Sequence, residues 1–437
     1  MTAERSAETY FDEGETVPRR ILVERRWSAI AELADVAREL PFYRERWKDV
    51  AGAPFDTLDE TTFPQLPLTK KRDLVDASLE RRSALNGTEA LLGLEPRNLV
   101  MTSGTMGFNT FAVLTDFDLD GASTLAQARE LWMMGVRPGM RVLSISPAWH
   151  GLGLLESRAL TTIGALAVMP WGTLTPRFVG DILDAVTGLA PEHLLVTARA
   201  LRMLLAECDR IGSDPRRAFR SVRYVGCAGE ALSPAFREHV RCRLELDDIF
   251  ERGGSGDGMF GGGECSFHRG HHISADVHYV EVVDPATGDP VPEGSRGSVV
   301  VTNLTLGKSL YIRFATEDVA EIVPGDCPCG RTHPVVEFYA RLADSVVLPG
   351  RILTPADVRV VLDEFDAVRF RPFAMEWDGA RGLSVAVSGD SGAIQEASLP
   401  VAAALSDRLD VAVTLTAEEA TTAGWKEERL GPRGESP

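Results

Sequence analysis

The chain has 437 residues, more than one hydrophobic core usually organises, so we expect a large domain and a smaller one. Its formal net charge of -18 argues against nonspecific binding to nucleic acid, because such binding depends on Lys and Arg. It has no apolar run of about 18 residues and no signal-peptide pattern at its start, so we expect a soluble, cytoplasmic protein that does not bind membranes.

Helices and strands are predicted to alternate over the first half of the chain. Apolar spacing predicts an amphipathic helix over residues 20 to 40 and another helix over 118 to 134. β-type runs at 141 to 146, 165 to 169, 193 to 197 and 222 to 227 are each followed by a helical stretch, which predicts a parallel sheet covered on both faces. After residue 280, short β runs at 280 to 283 and 297 to 302 predict hairpins.

Two turns that follow β-type runs are candidates for binding anions. The first is VMTSGTMGFNT at residues 100 to 110, where glycines permit close approach of the backbone and hydroxyls extend a row of N–H groups. It differs from a Walker loop because no Lys-Ser or Lys-Thr follows its second glycine, and taken alone it is also compatible with a plain turn. The second is AGE at 228 to 230. Ligands of parallel sheets lie beyond the carboxyl ends of the strands, so both turns are predicted to face one cleft.

A group of cysteines and histidines predicts a metal site. Six cysteines are too few for a disulfide scaffold in a chain of this length, and three of them lie in one region that also contains histidines. Four thiolate and imidazole ligands suit tetrahedral zinc, and a shell closed by four protein ligands indicates a structural metal. The favoured set is Cys265, His272, Cys327 and Cys329. His268, His271 or His333 could replace one ligand, whereas Cys208, Cys227 and Cys242 are predicted to be packed as small hydrophobic residues.

Five segments carry a resemblance to a known family. They are PFYR at 41 to 44, LPLTKKRDL at 66 to 74, the loop at 100 to 110, AGE at 228 to 230, and IRFATED at 312 to 318. In this order and spacing, from residue 20 to about residue 341, the chain resembles the phenylacetate-CoA ligase branch of the adenylate-forming superfamily. The metal ligands also resemble a metal site of that family.

The resemblance implies an α/β fold with two domains. Residues 1–340 would form a large N-terminal AMP-binding domain with parallel sheets and a β-rich subdomain clamped by zinc. Residues 341–437 would form a small, mobile α+β C-terminal domain, with RLAD at 341 to 344 as the hinge. The implied reaction is ATP-dependent adenylation of a small aromatic carboxylic acid, followed by transfer of the acyl group from AMP to coenzyme A, with Mg²⁺ bridging the phosphates.

The resemblance also assigns roles to single residues. The loop residues that would hold the triphosphate are Thr102, Ser103, Gly104, Thr105 and Gly107. Asp318 would accept the ribose hydroxyls, and Arg341 would lie near the nucleotide. Glu230, after Ala228 and Gly229, would point into the cleft, although an acid there could instead cap the following helix.

Three further elements complete the implied site. Trp149, His150 and Gly151 follow a β run and would line the pocket for the acid. Lys426, in GWKEER at 424 to 429, would bridge the carboxylate and the phosphate during adenylation, with Thr105 as the second catalytic residue. As alternatives, the Trp-His pair could be core packing and Lys426 an ordinary solvated lysine.

The chain departs from the family pattern at RGGSGD, residues 252 to 257, where the family has YGxTE. Arg252 stands at the position of the aromatic residue that packs on adenine, and its guanidinium plane could still stack there. Gly256 stands at the acidic position, and Asp257 could supply the carboxylate one residue later. The loop also has Met106, Phe108 and Asn109 where Thr, Lys and Pro are usual.

These departures leave two other hypotheses open. The enzyme could activate a different group or use a different acceptor: an amine, a carrier thiol, or nitrite in the diazotisation of an aryl amine. Alternatively, it could be a catalytically degenerate nucleotide-binding homologue. We expect a homodimer only because twofold dimers are the commonest oligomers among soluble proteins.

Overall fold

The computed structural model describes residues 9–50, 58–74, 76, 98–101, 111–146, 151–169, 178–256, 260–305 and 310–418. The chain divides into two compact units. The first comprises Met1–Gly229, Leu244–Thr316 and Ala320–Phe338, and the second comprises Glu230–Arg243, Glu317–Val319 and Tyr339–Pro437. The domain boundary placed at Arg341 stays a prediction. Within the described ranges, no helix is both long and apolar enough to cross a membrane.

The first predicted helix is present as α1, Arg19–Glu39. Its apolar face, which includes Ile30, Leu33 and Ala37, belongs to a buried core of the first unit. Helix α2, Pro41–Trp47, follows after Leu40, and proline suits its first turn because the N–H it lacks would have no helical partner there. The Tyr43 hydroxyl of α2 donates to the carbonyl of Leu310 and accepts the amide of Ile312, which joins two of the segments singled out in the sequence.

The helix predicted over 118 to 134 is wrong in its extent, because the structure has two helices there. Helix α3 is Asp116–Leu119 and helix α4 is Ala122–Met133. Thr115 and Asp118 form a capping box that starts α3, and Gly121 interrupts the helical backbone before α4. The remaining helices of the described part are α5 Gly151–Ile163, α6 Val179–Leu189, α7 Ala198–Ile211, α8 Pro215–Ala218, α9 Pro234–Leu244, α10 Pro355–Leu362 and α11 Ser391–Leu409.

A large mixed sheet dominates the described strands. Its strands are β1 Thr69–Lys70, β4 Arg141–Ser144, β5 Leu166–Val168, β6 His193–Thr197, β7 Tyr224–Ala228, β8 Asp248–Ser255, β9 Phe260–Glu264, β10 His271–Ile273, β11 His278–Val283, β12 Gly297–Asn303, β13 Phe314–Ile322 and β14 Val335–Arg341. The order is β11-β12-β13-β14-β10-β9-β8-β7-β6-β4-β5, and β1 pairs with β13. Strands β2 Asn98–Met101 and β3 Phe111–Leu114 form a separate antiparallel pair.

The predicted parallel region and the predicted hairpin are both confirmed. Strand β4 pairs in parallel with β5 and β6, β6 with β7, and β7 with β8. The sheet then changes character, because β8 and β9 are antiparallel, as are β11 and β12. Parallel strands end at one edge of a sheet, so the carboxyl ends of β4, β6 and β7 lie side by side there.

The second unit has its own small sheet and core. Strands β17 Phe373–Asp378, β18 Gly382–Ser388 and β19 Val413–Glu418 form a three-stranded sheet, and β15 Val346–Leu348 pairs with β16 Arg351–Leu353. Residues of helices α10 and α11, such as Val358, Ile394 and Leu405, are buried with Phe373 of β17. The unit thus has the α+β composition that the resemblance implies for the C-terminal part of the chain.

Candidate functional site

Part of the predicted site lies outside the described residues. The structure describes the second turn, Arg252, the Asp318 and Arg341 pair, Gly151 and the four metal ligands. Gly151 is buried and begins α5. The predicted site residues outside the described part are Thr102, Ser103, Gly104, Thr105, Gly107, Trp149, His150, Asp257 and Lys426.

The second turn begins where β7 ends. Ala228 is the last residue of β7 and is in register with Thr197, the last residue of β6. Gly229 has a φ of +91°. Residues with a side chain rarely adopt this conformation, so glycine is needed for the turn. Glu230 follows and is half-buried, while Gly229 is exposed.

Asp318 and Arg341 are 23 positions apart in the chain and form an ion pair in the second unit. The Arg341 Nε atom lies 3.1 Å from Asp318 Oδ1, and their side chains are 16% and 11% exposed. Side chains this shielded from solvent hold a fixed geometry better than exposed pairs do. Two of the residues that the resemblance assigns to the nucleotide are therefore neighbours.

Arg252 lies in a buried network of charges that the sequence did not reveal. Its Nε donates to Glu130 and its Nη1 to Glu156, and the three side chains are at most 6% exposed. Burial raises the pKa of Glu130, and Arg252 opposes that rise. The nearby carboxylates outweigh burial for Arg252 and raise its pKa. Two of the guanidinium nitrogens of Arg252 already bind carboxylates. Stacking of this guanidinium on adenine stays a prediction.

Glu130 and Glu156 were missed because no local motif marks them. One signal was present: Glu156 is the only carboxylate in α5, GLGLLESRALTTI, and is completely buried within that apolar helix. A buried acid almost always has a partner, so its position in an apolar helix indicated a cation elsewhere in the chain. The partner, 96 positions away, could not be identified from spacing.

The favoured set of metal ligands comes together in the structure. The ligand atoms of Cys265, His272, Cys327 and Cys329 all lie within 4.8 Å of one another. The Cys265 and Cys327 sulfurs are 3.6 Å apart, and Cys329 Sγ is 3.4 Å from His272 Nε2. A zinc ion with Zn–S bonds of about 2.3 Å would place two sulfurs about 3.8 Å apart and sulfur and nitrogen about 3.6 Å apart. The donor set and its spacing therefore fit a tetrahedral metal.

The surroundings of these ligands favour thiolate at one position. A hydrogen bond from Cys265 and the neighbouring His272 lower the pKa of Cys329, and burial opposes this. The Arg331 amide also points at Cys329 Sγ, at 3.5 Å. Thiolate is the form of cysteine that binds metals. The knuckle, residues 327 to 331, is thus arranged for an electron-rich sulfur.

The three alternative histidine ligands have other contacts. His268 lies between Glu264 and Asp248, at 3.0 and 3.1 Å. The Nδ1 atom of His271 lies 3.0 Å from the carbonyl of Val336. His333 accepts the amide of Ala275 at 3.0 Å. None of the three belongs to the four-residue group found among the described residues.

An N-terminal strap, residues 9 to 17, covers the knuckle. The Tyr10 hydroxyl donates to the Cys329 carbonyl at 3.0 Å, and Arg331 donates to the Thr9 carbonyl at 2.8 Å. Arg331 also pairs with Glu15, and both side chains are at most 4% exposed. The strap therefore fixes the loop that carries two of the metal ligands.

The chain matches the family described as AMP-binding enzyme over residues 58–311. It is 32% identical over 369 residues to the phenylacetate-coenzyme A ligase of Thermus thermophilus, covering 81% of this chain and 78% of that protein. It is 25% identical to the phenylacetate-coenzyme A ligase of Escherichia coli, covering 75% of this chain and 72% of that protein.

The fold also matches a solved structure. The crystal structure of 2-hydroxyisobutyryl-CoA ligase in the postadenylation state in complex with 2-HIB-AMP superposes with a TM-score of 0.81 at 19% identity, covering 95% of this chain and 90% of that chain. At this identity the likeness concerns the fold. Taken with the family match and the curated relatives, the chain belongs to the AMP-binding enzyme family and is an adenylate-forming enzyme of the phenylacetate-CoA ligase type.

Proposed function

We propose that this enzyme activates a small aromatic carboxylic acid with ATP and transfers the acyl group to coenzyme A. A carboxylate oxygen attacks the α-phosphorus of ATP, and pyrophosphate leaves. The coenzyme A sulfur then attacks the acyl carbonyl, AMP leaves with the former carboxylate oxygen, and the thiol proton passes to solvent. The observation that carries the proposal is the match to phenylacetate-coenzyme A ligases across most of both chains.

In this proposal the nucleotide residues act mainly by positioning and by electrostatics. Ser103, Thr105, Thr102 and the amides of Gly104 and Gly107 would hold the triphosphate, and Mg²⁺ would supply positive charge to its oxygens. Asp318 accepts the ribose hydroxyls, and Arg341 orients its carboxylate, as their 3.1 Å contact supports.

The turn after β7 and two more distant residues complete the assignment. Ala228, Gly229 and Glu230 lie at the carboxyl edge of the parallel strands, where ligands of such sheets bind. Asp257 would hold Mg²⁺ through its carboxylate. Lys426 stabilises the negative charge that develops during adenylation.

The acid is proposed to bind beside Trp149, His150 and Gly151. Gly151 is buried and begins α5, the helix that follows β4 in the chain, and ligands of parallel sheets bind beyond the carboxyl ends of strands such as β4. An aromatic acid is favoured because the curated relatives are phenylacetate-coenzyme A ligases.

We further propose that Cys265, His272, Cys327 and Cys329 bind one zinc ion with a structural role. Four protein ligands close the coordination shell, so the metal has no open position for water or substrate. The observed S···S and S···N separations of 3.6 and 3.4 Å support this assignment. We also propose that the boundary between the two domains lies near Arg341 and that the small domain moves about a hinge at Asp344.

The experiment is exchange of labelled pyrophosphate into ATP, measured over a panel of aryl acids that includes phenylacetate. Exchange that depends on the acid supports adenylation, and subsequent consumption of coenzyme A supports the thiol acceptor. If exchange occurs but only an amine, a carrier thiol or nitrite is consumed, the acceptor is wrong. If folded protein shows no exchange with any acid, the catalytic proposal is wrong and a degenerate homologue remains.

A further inference from the structure

The Arg252 network joins two neighbouring regions at the carboxyl edge of the parallel strands. Arg252 lies on β8, where its backbone is in register with Ala228, the last residue of β7. Its guanidinium reaches Glu156 on α5. Glu156 in turn accepts hydrogen bonds from the hydroxyls of Ser144 at 2.5 Å and Ser146 at 3.2 Å. Glu156 therefore ties the end of β4 to α5, and Arg252 holds Glu156.

All four carboxylate oxygens of the network accept hydrogen bonds. Arg252 donates to one oxygen of Glu130, and the Gln127 side-chain amide donates to the other at 2.8 Å. Glu156 accepts hydrogen bonds from Arg252 and from the hydroxyls of Ser144 and Ser146. Carboxylates held this way can hardly move, because each departure would leave a buried charge without its donor. The network is thus a rigid connection.

Glycines on the two strands that flank β8 lie against these side chains. A Cβ at Gly263 of β9 would lie 2.7 Å from Glu130 Cγ. A Cβ at Gly226 of β7 would lie 2.9 Å from Leu195 and 3.5 Å from Arg252 Cδ. A side chain at Gly263 would therefore collide with Glu130, whereas one at Gly226 would collide with Leu195 and make only an ordinary contact with Arg252.

The backbone and the side chain of Arg252 have separable effects. Main-chain pairing with Ala228 and Gly263 holds β8 against β7 and β9, and this pairing does not depend on the side chain. The guanidinium binds Glu156 of α5, which in turn binds the serines at the end of β4. Loss of the guanidinium should therefore disturb the β4 end and spare the turn after β7.

We propose that Arg252 is a positioning residue that acts through Glu156 to hold the end of β4 and the start of α5 where the carboxylic acid binds. This inference rests on the proposed function. It differs from stacking of Arg252 on adenine, because it places the effect of the residue on the acid and not on the nucleotide. Small errors in the placement of reacting groups have large effects on rate, so this role is important for turnover.

The test uses the full chain and three variants: Arg252→Met, Ser146→Ala and Arg129→Met. Ser146→Ala removes one hydrogen bond to Glu156 without removing a charge. Arg129→Met is the matched control, because the Arg129 side chain is equally buried and pairs with two other carboxylates, Asp12 and Asp276, although Arg129 directly precedes Glu130 in the chain. The KM values for ATP and for the best aryl acid of the panel are measured separately by pyrophosphate exchange.

We expect Arg252→Met to raise the KM for the acid at least tenfold and the KM for ATP less than twofold, and Ser146→Ala to raise the KM for the acid about threefold. Arg129→Met should lower stability and change neither KM. A rise in the KM for ATP alone would support adenine stacking and overturn the inference, as would KM values that stay unchanged. If Arg252→Met does not fold, Ser146→Ala decides.

Hydrogen exchange separates this inference from the proposed function. In Arg252→Met, or in Ser146→Ala if the former does not fold, amides of residues 144 to 146 and of the first turns of α5 should exchange faster, whereas those of β7 should not. Unchanged exchange at both places contradicts the inference even if the enzyme is active. A wild-type chain that is inactive with every acid refutes the proposed function, and exchange at β4 then decides whether the network holds that strand end.

Discussion

His193 should make the first unit less stable below neutral pH. It lies on β6, completely buried, with Nε2 3.0 Å from the carbonyl of Met134. Its Nδ1 atom has no hydrogen-bond partner among the described residues. Burial lowers the pKa of His193 to about 4, the contact with Met134 opposes this, and the nearby charge of Arg252 adds to it. The folded chain therefore keeps this imidazole neutral.

The size of the effect follows from the two pKa values. Above about pH 7 the imidazole is neutral in both states and contributes nothing. As the pH falls below the unfolded value of 6.5, the unfolded chain binds a proton that the folded chain does not, so stability is lost. The free energy of unfolding should decrease by about 1.4 kcal/mol at pH 5.5 and about 2.5 kcal/mol at pH 4.5 from this group alone.

The assay compares the wild-type chain with His193→Gln. Glutamine does not titrate and retains an amide that can donate to the carbonyl of Met134. Urea unfolding followed by far-UV circular dichroism at pH 7.5, 5.5 and 4.5 gives the free energy of unfolding for both proteins. The wild-type advantage over the variant should shrink by about 2.5 kcal/mol between pH 7.5 and 4.5. Two parallel curves would refute the reasoning.

Three further predictions concern the nucleotide residues, the metal and a second buried ion pair. Asp318→Asn should raise the KM for ATP about tenfold to a hundredfold and abolish the preference for ATP over 2′-deoxy-ATP, because a charged hydrogen bond to ribose is lost; an intact preference would remove Asp318 from this role. Cys327→Ser should lower zinc content from about one per chain to near zero and reduce the melting temperature, measured by mass spectrometry and calorimetry, whereas full metal content would contradict the ligand assignment. Arg313→Met should lower the free energy of unfolding in urea by about 3 to 5 kcal/mol, because Glu281 stays buried without its cation. Arg381, whose pair with Asp378 is exposed, provides the control variant Arg381→Met, and equally small effects of the two variants would contradict this prediction.

The strands of the parallel region could be predicted because each is marked locally. The four β runs have apolar residues over a short length, followed by helical periodicity, and such a pattern needs no knowledge of distant residues. The Cys-x-Cys knuckle with its distant Cys and His was recognisable for a related reason, since few roles other than metal binding bring these residue types together.

Long-range ion pairs could not be predicted in this way. Arg252 and Glu130 are 122 positions apart, and Glu15 and Arg331 are 316 apart. Their sequence surroundings look like ordinary charged segments, and only the fold brings them together. The break at Gly121 was missed for the opposite reason: the apolar pattern continues across it, and the capping box formed by Thr115 and Asp118 is a subtler signal.

The central claim, that a carboxylate attacks the α-phosphorus of ATP, is tested most directly by the fate of the carboxylate oxygen. The aryl acid is labelled with ¹⁸O in both carboxyl oxygens and turned over with ATP and coenzyme A, and the AMP is analysed by mass spectrometry. We expect one ¹⁸O atom in each AMP formed. Unlabelled AMP, or ADP as the nucleotide product, would contradict the account.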